Sequence, residues 1–124
     1  MTDPSLILLK LADLDNEIHR PFPYPDIHQM QKEFESHFSM LGGIITADFH
    51  DYCTTIAGTI TYVRSGHQED IQETQLALLP HTFFERFPEY AFLEEHLDRY
   101  PMFQSEYNLF EQARKLLVAL FQFR

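Results

Sequence analysis

Apolar residues recur every three or four positions over most of the chain, which is the spacing of one face of an α-helix. The pattern is clearest near the N-terminus, where the first stripe consists of Ile7, Leu11, Leu14 and Ile18. It predicts a helix from Pro4 to about Ile18, because Asp3 is a suitable cap and proline is favoured at the first helical position.

Prolines and glycines predict where the next elements end. Alternating prolines in the segment 20–25 cannot continue a helix, so the first helix ends before them. A second helix is predicted from Asp26, with an apolar stripe that includes Met30 and Phe34. The pair Gly42-Gly43 is predicted to end it, since glycine commonly follows the last turn of a helix.

The segment 47–64 fits two interpretations. Phe49, Cys53, Ile56, Ile60 and Val63 have helical spacing, but Thr55 to Val63 is rich in β-branched residues and alternates like a strand. We favour one helix from about Ala47 to Arg64, capped by Thr46 or Asp48, because the neighbouring segments are helical. The small residues Ala57 and Gly58 are then predicted to let another helix approach closely.

The remaining helices are separated by Ser65-Gly66, Pro80, Pro88 and Pro101. We predict helices at Glu69–Leu79 and Glu89–Tyr100, a short helical turn at His81–Phe87, and a last helix from about Met102 to Phe123. In the helix at Glu89–Tyr100, the pattern places Phe92, Leu93 and Leu97 inward. The prediction for residues 1–124 is therefore a single all-α domain, a bundle of about five to six helices.

Aromatic residues dominate the predicted core, since the chain holds 12 Phe and 6 Tyr. Six ring-bearing residues cluster between Pro80 and Leu93, namely His81, Phe83, Phe84, Phe87, Tyr90 and Phe92. Most of them should be buried, but short helices broken by prolines often leave one or two rings exposed. An exposed ring rimmed by carboxylates is a plausible hot spot for a protein partner.

Charge gives the strongest functional indication. The net charge is −10, and the stretch from His67 to Asp98 holds eight acidic residues but only one basic residue, Arg86. Nucleic acids and anionic membranes attract basic surfaces, so neither is expected as a direct partner. A basic protein is the expected partner, and the predicted contact residues are Glu69, Asp70, Glu73, Glu94, Glu95 and Asp98.

Residues able to support chemistry do not form a recognisable motif. Asp48, His50 and Asp51 are near one another, but a metal site would need a further ligand from another helix. Cys53 is the only cysteine, which excludes an intrachain disulfide, and it lies on an apolar stripe where a small buried side chain is expected. We therefore predict no catalytic residue, no metal and no cofactor.

No targeting segment or membrane span is expected from the sequence. The apolar run from Leu6 to Leu11 has no basic region before it and no small-residue cleavage site after it. No apolar stretch approaches the roughly 20 residues needed to cross a bilayer. The expectation is a soluble, cytoplasmic protein.

Three functions are compatible with these features. The preferred hypothesis is an inhibitor of the immunity or antitoxin type from a bacterium, which neutralises a basic toxin, possibly a nuclease, by covering its active surface. One alternative is a helical enzyme or a ligand- or metal-binding domain with a pocket between helices, using Asp48, His50 or Asp51, with His67 and Glu69. Another is a chaperone or regulatory adaptor that grips an amphipathic segment.

Overall fold

The chain folds into a succession of helices around one long central helix. The structure is a computed structural model, and it describes residues 4–18, 27–35 and 38–122. The α-helices are α1 (Pro4–Ile18), α2 (Ile27–Glu35), α3 (Ser39–Arg64), α4 (Glu73–Leu78), α5 (Phe83–Arg86) and α6 (Pro101–Phe121). The described ranges also contain two 3-10 elements, Gln68–Asp70 and Pro88–Arg99. These ranges contain no strand, which confirms the all-α prediction.

Helix α3 is the central element, and α1, α2 and α6 all contact it. Helix α1 also packs along α6, with Ile7 and Leu11 fully buried and Leu14 partly buried. The N-terminal helix is therefore confirmed over the described residues, with Ile7, Leu11 and Leu14 of the predicted stripe turned inward. The predicted cap Asp3, the predicted start of the second helix at Asp26 and the proline-rich segment 20–25 lie outside the described residues.

The segment 55–63 is helical, so the strand alternative is wrong. Its threonine hydroxyls find acceptors on the backbone of the preceding turn, as threonine can inside a helix. The donors are Thr55, Thr59 and Thr61, each reaching the carbonyl oxygen four residues earlier at 2.8–3.1 Å. Helix α3 ends as predicted, since Gly66 has φ +78° and His67 N donates to Tyr62 O at 2.9 Å.

The predicted break at Gly42-Gly43 is wrong, and so is the predicted start of the third helix near Ala47. Helix α2 is described over Ile27–Glu35, and α3 starts at Ser39, after the non-helical Phe38 (φ −136°, ψ 72°), and runs through both glycines. A Cβ on Gly42 would lie 3.0 Å from Glu35 N and 3.1 Å from the Phe34 Cβ. Gly42 is therefore a contact point that lets α2 approach α3, and not a helix end.

Gly58 does not have the role predicted for it. A Cβ placed on Gly58 would meet no atom of the described structure within 4 Å. The close approach that the small residues Ala57 and Gly58 predicted does not occur at Gly58, although Ala57 is buried.

The segment 69–100 differs most from the predicted helices. The helix predicted at Glu69–Leu79 is a 3-10 turn at Gln68–Asp70 followed by the shorter α4. The helix predicted at Glu89–Tyr100 is the 3-10 element Pro88–Arg99, interrupted at His96 (φ −128°, ψ 25°). The element begins and ends with hydrogen bonds between residues three positions apart. Tyr90 N donates to Phe87 O and Tyr100 N donates to Leu97 O, each at 3.0 Å.

A carboxylate from another helix caps the N-terminus of α6. Glu33 Oε1 accepts a hydrogen bond from Met102 N at 2.7 Å, and Glu33 Oε2 accepts one from Phe103 N at 3.0 Å. The first backbone N–H groups of a helix lack partners within the helix, and a carboxylate suits the positive end of its dipole. Glu33 therefore ties α2 to α6 at one end of the molecule.

The core is as rich in phenylalanine as the composition predicts. Phe49 lies at its centre, with its ring centroid 4.7 Å from that of Phe103 and 5.2 Å from that of Phe83. Phe34 is 5.1 Å from Phe103 on the side of α2. All four rings are fully buried, so α2, α3, α5 and α6 share one aromatic core.

Candidate functional site

All six predicted contact residues have exposed side chains. Glu69 and Asp70 belong to the 3-10 turn that follows α3, and Glu73 is the first residue of α4. Glu94, Glu95 and Asp98 lie on the 3-10 element Pro88–Arg99. The structure therefore presents these carboxylates to solvent, as a contact surface for a cationic partner requires.

The six carboxylates form two groups. The turn with Glu69 and Asp70 packs against α3, whereas the element Pro88–Arg99 packs against α5 and α6. Within the first group, His67 Nδ1 lies 3.5 Å from Asp70 Oδ2. No described hydrogen bond or ion pair joins Glu69, Asp70 or Glu73 to the second group.

The lone base of this acidic stretch does not neutralise either group. The Arg86 guanidinium carbon lies 4.9 Å from the centre of the Tyr52 ring, a cation–π arrangement. Its Nε and Nη2 atoms are buried and make no hydrogen bond with any described residue. Burial lowers the pKa of Arg86 from its usual value of 12.5, which still leaves the side chain charged at neutral pH. Its charge is directed into the molecule, away from the acidic surface.

A buried polar network lies beneath Arg86. The Tyr52 hydroxyl donates a hydrogen bond to Glu111 Oε1, and Arg114 Nη2 donates to Glu111 Oε2 at 2.8 Å. Arg114 Nη1 also donates to Leu79 O at 3.0 Å. The three residues of the network, Tyr52, Glu111 and Arg114, are at most 7% exposed.

The electrostatics of this network favour its present protonation state. Burial and the hydrogen bond to Glu111 raise the pKa of Tyr52 above its usual value, so the hydroxyl stays protonated and donates. Burial is the largest influence on Arg114 and opposes its charge, but the hydrogen bonds and negative charge of Glu111, together with Tyr52, outweigh burial and raise the Arg114 pKa. The network joins α3, α6 and the end of α4, and its burial indicates a structural role.

The sequence analysis missed this network, although the sequence carries a signal for it. Glu111 and Arg114 are three residues apart on α6, and both fall among the apolar positions Phe110, Ala113 and Leu117. A pair of opposite charges on a buried helical face indicates a buried ion pair. The third member, Tyr52, comes from α3 and is brought in only by the fold.

The candidate group Asp48, His50 and Asp51 is divided by the structure. Asp48 Oδ2 accepts a hydrogen bond of 2.6 Å from the Tyr90 hydroxyl. His50 and Asp51 instead line a pocket of about 220 Å³ with Gln31 and Thr46, between α2 and α3. This pocket is smaller than ordinary ligand sites of about 300–1,000 Å³, so it gives the enzyme hypothesis little support.

His67, Glu69 and Asp70 are the described residues that come closest to a metal site. Their ligand atoms lie within 4.8 Å of one another, but all three side chains are exposed. Such a group could hold a hard cation weakly, and exposed acidic groups are common without one. Cys53, the other metal-ligating side chain of interest, is fully buried in the core.

An apolar groove lies between α4 and the end of α6. It has a volume of about 440 Å³, and its lining includes Leu76, Leu79, Val118 and Phe121. Its size is within the range of ligand sites, and an apolar groove is the feature that the adaptor hypothesis requires. None of the six predicted contact residues lines it.

None of the described helices is long and apolar enough to cross a membrane.

Comparison with known proteins identifies a family for this chain. A family model described as YxiJ-like protein matches residues 9–118, which covers most of the chain and includes the aromatic core and both acidic groups. No curated protein matches the chain. No solved structure matches it either.

Proposed function

The chain belongs to the YxiJ-like protein family, and we propose that it is an acidic inhibitor of the immunity type, which neutralises a basic toxin-like protein by covering its active surface. The family description names no activity, so the proposal rests on the surface of this chain. It concerns the binding of a protein and assigns no catalytic residue.

One observation carries the proposal. All eight acidic side chains between His67 and Asp98 are exposed, while Arg86, the only base of that stretch, turns its guanidinium onto the buried Tyr52 ring. The fold therefore exposes the negative charges of this stretch and turns the positive charge of Arg86 away from them. A surface of one sign attracts partners of the opposite sign and raises their rate of association.

The chemistry of such a partner follows from the charge. Proteins that act on nucleic acids carry Lys and Arg on the surface that contacts phosphates. A carboxylate-rich surface is complementary to that region, so an inhibitor that docks there blocks the substrate groove while repelling the nucleic acid itself. This argument supports a nuclease-like toxin over a toxin that acts on an uncharged substrate.

A growth assay tests the function. The basic protein encoded beside the gene for this chain should slow growth when it is expressed alone, and co-expression of the chain should restore growth. Absence of a basic neighbour with this effect would count against the immunity role.

Charge reversal tests the surface. In the variant E94K/E95K/D98K, association with that basic protein should slow by about tenfold or more at low salt, and the difference should shrink at high salt. The control D13K/E17K/E35K changes the net charge equally on α1 and α2. If both variants associated equally slowly, net charge and not this surface would govern binding.

A further inference from the structure

The outer side of the 3-10 element Pro88–Arg99 carries an exposed ring between carboxylates. Side chains three residues apart lie above one another in a 3-10 helix. Tyr90 and Leu93 form the buried row, and Glu89, Phe92 and Glu95 form an exposed row. The Phe92 side chain is 43% exposed, so the prediction that it points inward is wrong.

The exposed ring adjoins other apolar side chains. Its centroid lies 5.5 Å from that of Phe38, in an edge-to-face arrangement. Leu41 and Ile44 follow Phe38 at intervals of three residues and are 36% and 55% exposed. We call Phe38, Leu41, Ile44 and Phe92 the Phe92 patch.

A hydrogen bond fixes the two halves of the Phe92 patch against each other. Asp48 follows Ile44 by four residues on α3, and it accepts the hydrogen bond from Tyr90 on the 3-10 element. Burial and this bond raise the pKa of the Tyr90 hydroxyl, so it remains a donor throughout the neutral range. The patch therefore sits on two joined elements and is preorganised, which lowers the entropic cost of binding.

Monomeric soluble proteins rarely expose contiguous apolar patches larger than a few hundred Å². Single exposed apolar residues need no explanation, but a contiguous group rimmed by polar residues marks an interaction site. The ring here is flanked by acidic residues, since Glu89 and Glu95 lie three residues before and after Phe92 on the 3-10 element and are exposed. Arg99 and His96, also exposed, are the cationic or titratable groups at the far end of the same element.

We infer that the Phe92 patch is the anchor of the interface with the basic protein partner, whose surface offers an apolar spot surrounded by Lys and Arg side chains. This inference rests on the proposed function and adds the contact that holds the complex together. Aromatic residues at the centre of an interface carry much of the binding free energy, and charged rims act mainly on the association rate.

The acidic rim disfavours the other possible occupants. Nucleic acid and anionic lipid would bring phosphates against Glu89 and Glu95. A second copy of the chain would oppose carboxylates of one rim to those of the other, which is repulsive. The aliphatic stems of Lys and Arg cover apolar surface while their charged ends reach the carboxylates, and guanidinium groups stack on aromatic rings.

A peptide of matching chemistry tests the inference without knowledge of the partner. An amphipathic leucine–lysine peptide should bind saturably to the intact chain, and its amide shift changes should centre on Phe92, Leu41 and Ile44. An oligolysine of the same length should bind about tenfold more weakly at physiological salt, because screening removes most of the rim attraction. Equal affinity for both peptides, or shift changes centred elsewhere, would overturn the inference.

Variants identify the anchor. Phe92→Ala should weaken binding of the leucine–lysine peptide by about tenfold or more, mainly through faster dissociation. Leu78→Ala is the matched control, since Leu78 is 40% exposed on α4. Ile44→Lys changes only a side chain at the helix surface and should weaken binding of the same peptide equally. It keeps the inference testable if the Phe92 variant does not fold. An unchanged affinity in both patch variants would contradict it.

Two further measurements separate this inference from the function on which it rests. Binding of the intact chain to phosphatidylglycerol vesicles, or a dimer that Ile44→Lys dissociates, would assign the patch to another occupant and overturn the inference. In complex with the basic protein, E94K/E95K/D98K should change the association rate and Phe92→Ala the dissociation rate. If only the charge reversal acted, the proposed function would stand and the anchor would be wrong.

Discussion

At the scale of single residues, the most consequential side chains are three that the sequence analysis passed over. Tyr52, Glu111 and Arg114 satisfy one another inside the core, and Arg86 lies above them on the ring of Tyr52. A buried charge is tolerated only when it is paired and hydrogen-bonded. The same contacts explain why Arg86 does not act as a counter-charge on the acidic surface.

The network predicts an asymmetric response to mutation. Arg114→Met should lower the free energy of unfolding by about 3–5 kcal/mol, because it leaves the Glu111 carboxylate buried without its charge partner. The triple variant Y52F/E111L/R114M should recover most of that loss, since it removes the buried charges of Glu111 and Arg114 together and leaves neither without the other. Urea unfolding followed by circular dichroism measures both values. A loss below about 1 kcal/mol in the single variant would show that water solvates the pair.

At the scale of elements, glycines in one helix have opposite roles. Gly42 lies where the end of α2 approaches α3, and Gly58 lies in the same helix with open space around its Cβ position. The sequence pattern gives both positions the same residue type. Only the position of α2 distinguishes a glycine that the packing requires from one that it does not.

The two glycines therefore predict substitutions of different outcome. Gly58→Ala should raise the free energy of unfolding by about 0.5–1 kcal/mol, because alanine has the higher helix propensity and nothing obstructs its methyl group. Gly42→Ala should lose that gain, because its Cβ would press on the backbone of Glu35 at 3.0 Å. Thermal unfolding of both variants measures the difference. Equal stabilisation would mean that α2 moves freely away from α3.

At the scale of the whole molecule, the charge distribution is the dominant feature. The chain has a net charge of −10, and the fold leaves the acids between His67 and Asp98 exposed. Self-repulsion of this kind reduces the stability of a compact state. A binding surface of one sign is thus expected to carry a cost in stability when no partner is present.

Charge reversal tests that cost. The variant E94K/E95K/D98K should unfold at the same or a higher temperature than the natural chain at about 0.01 M salt, where screening extends over about 30 Å. The gain should fade at about 0.15 M salt, where the screening length is about 8 Å. Calorimetry at both salt concentrations measures it. A lower unfolding temperature at low salt would mean that these carboxylates make stabilising contacts, which is not expected of a free binding surface.

The sequence by itself determined the helical class, the buried stripe of α1, the end of α3 at Ser65-Gly66 and the aromatic core. These features depend on spacing and on residues that act within one turn, such as the positive φ of Gly66. It also determined the acidic stretch, because charge is a property of composition.

The tertiary structure decided that the chain breaks before Ser39 and that Pro88–Arg99 is a 3-10 element. It likewise left Phe92 exposed and turned the guanidinium of Arg86 onto the buried ring of Tyr52. Each of these outcomes depends on contacts between distant residues, such as Gly42 against Glu35, Asp48 with Tyr90 and Tyr52 with Glu111, and no local pattern contains them.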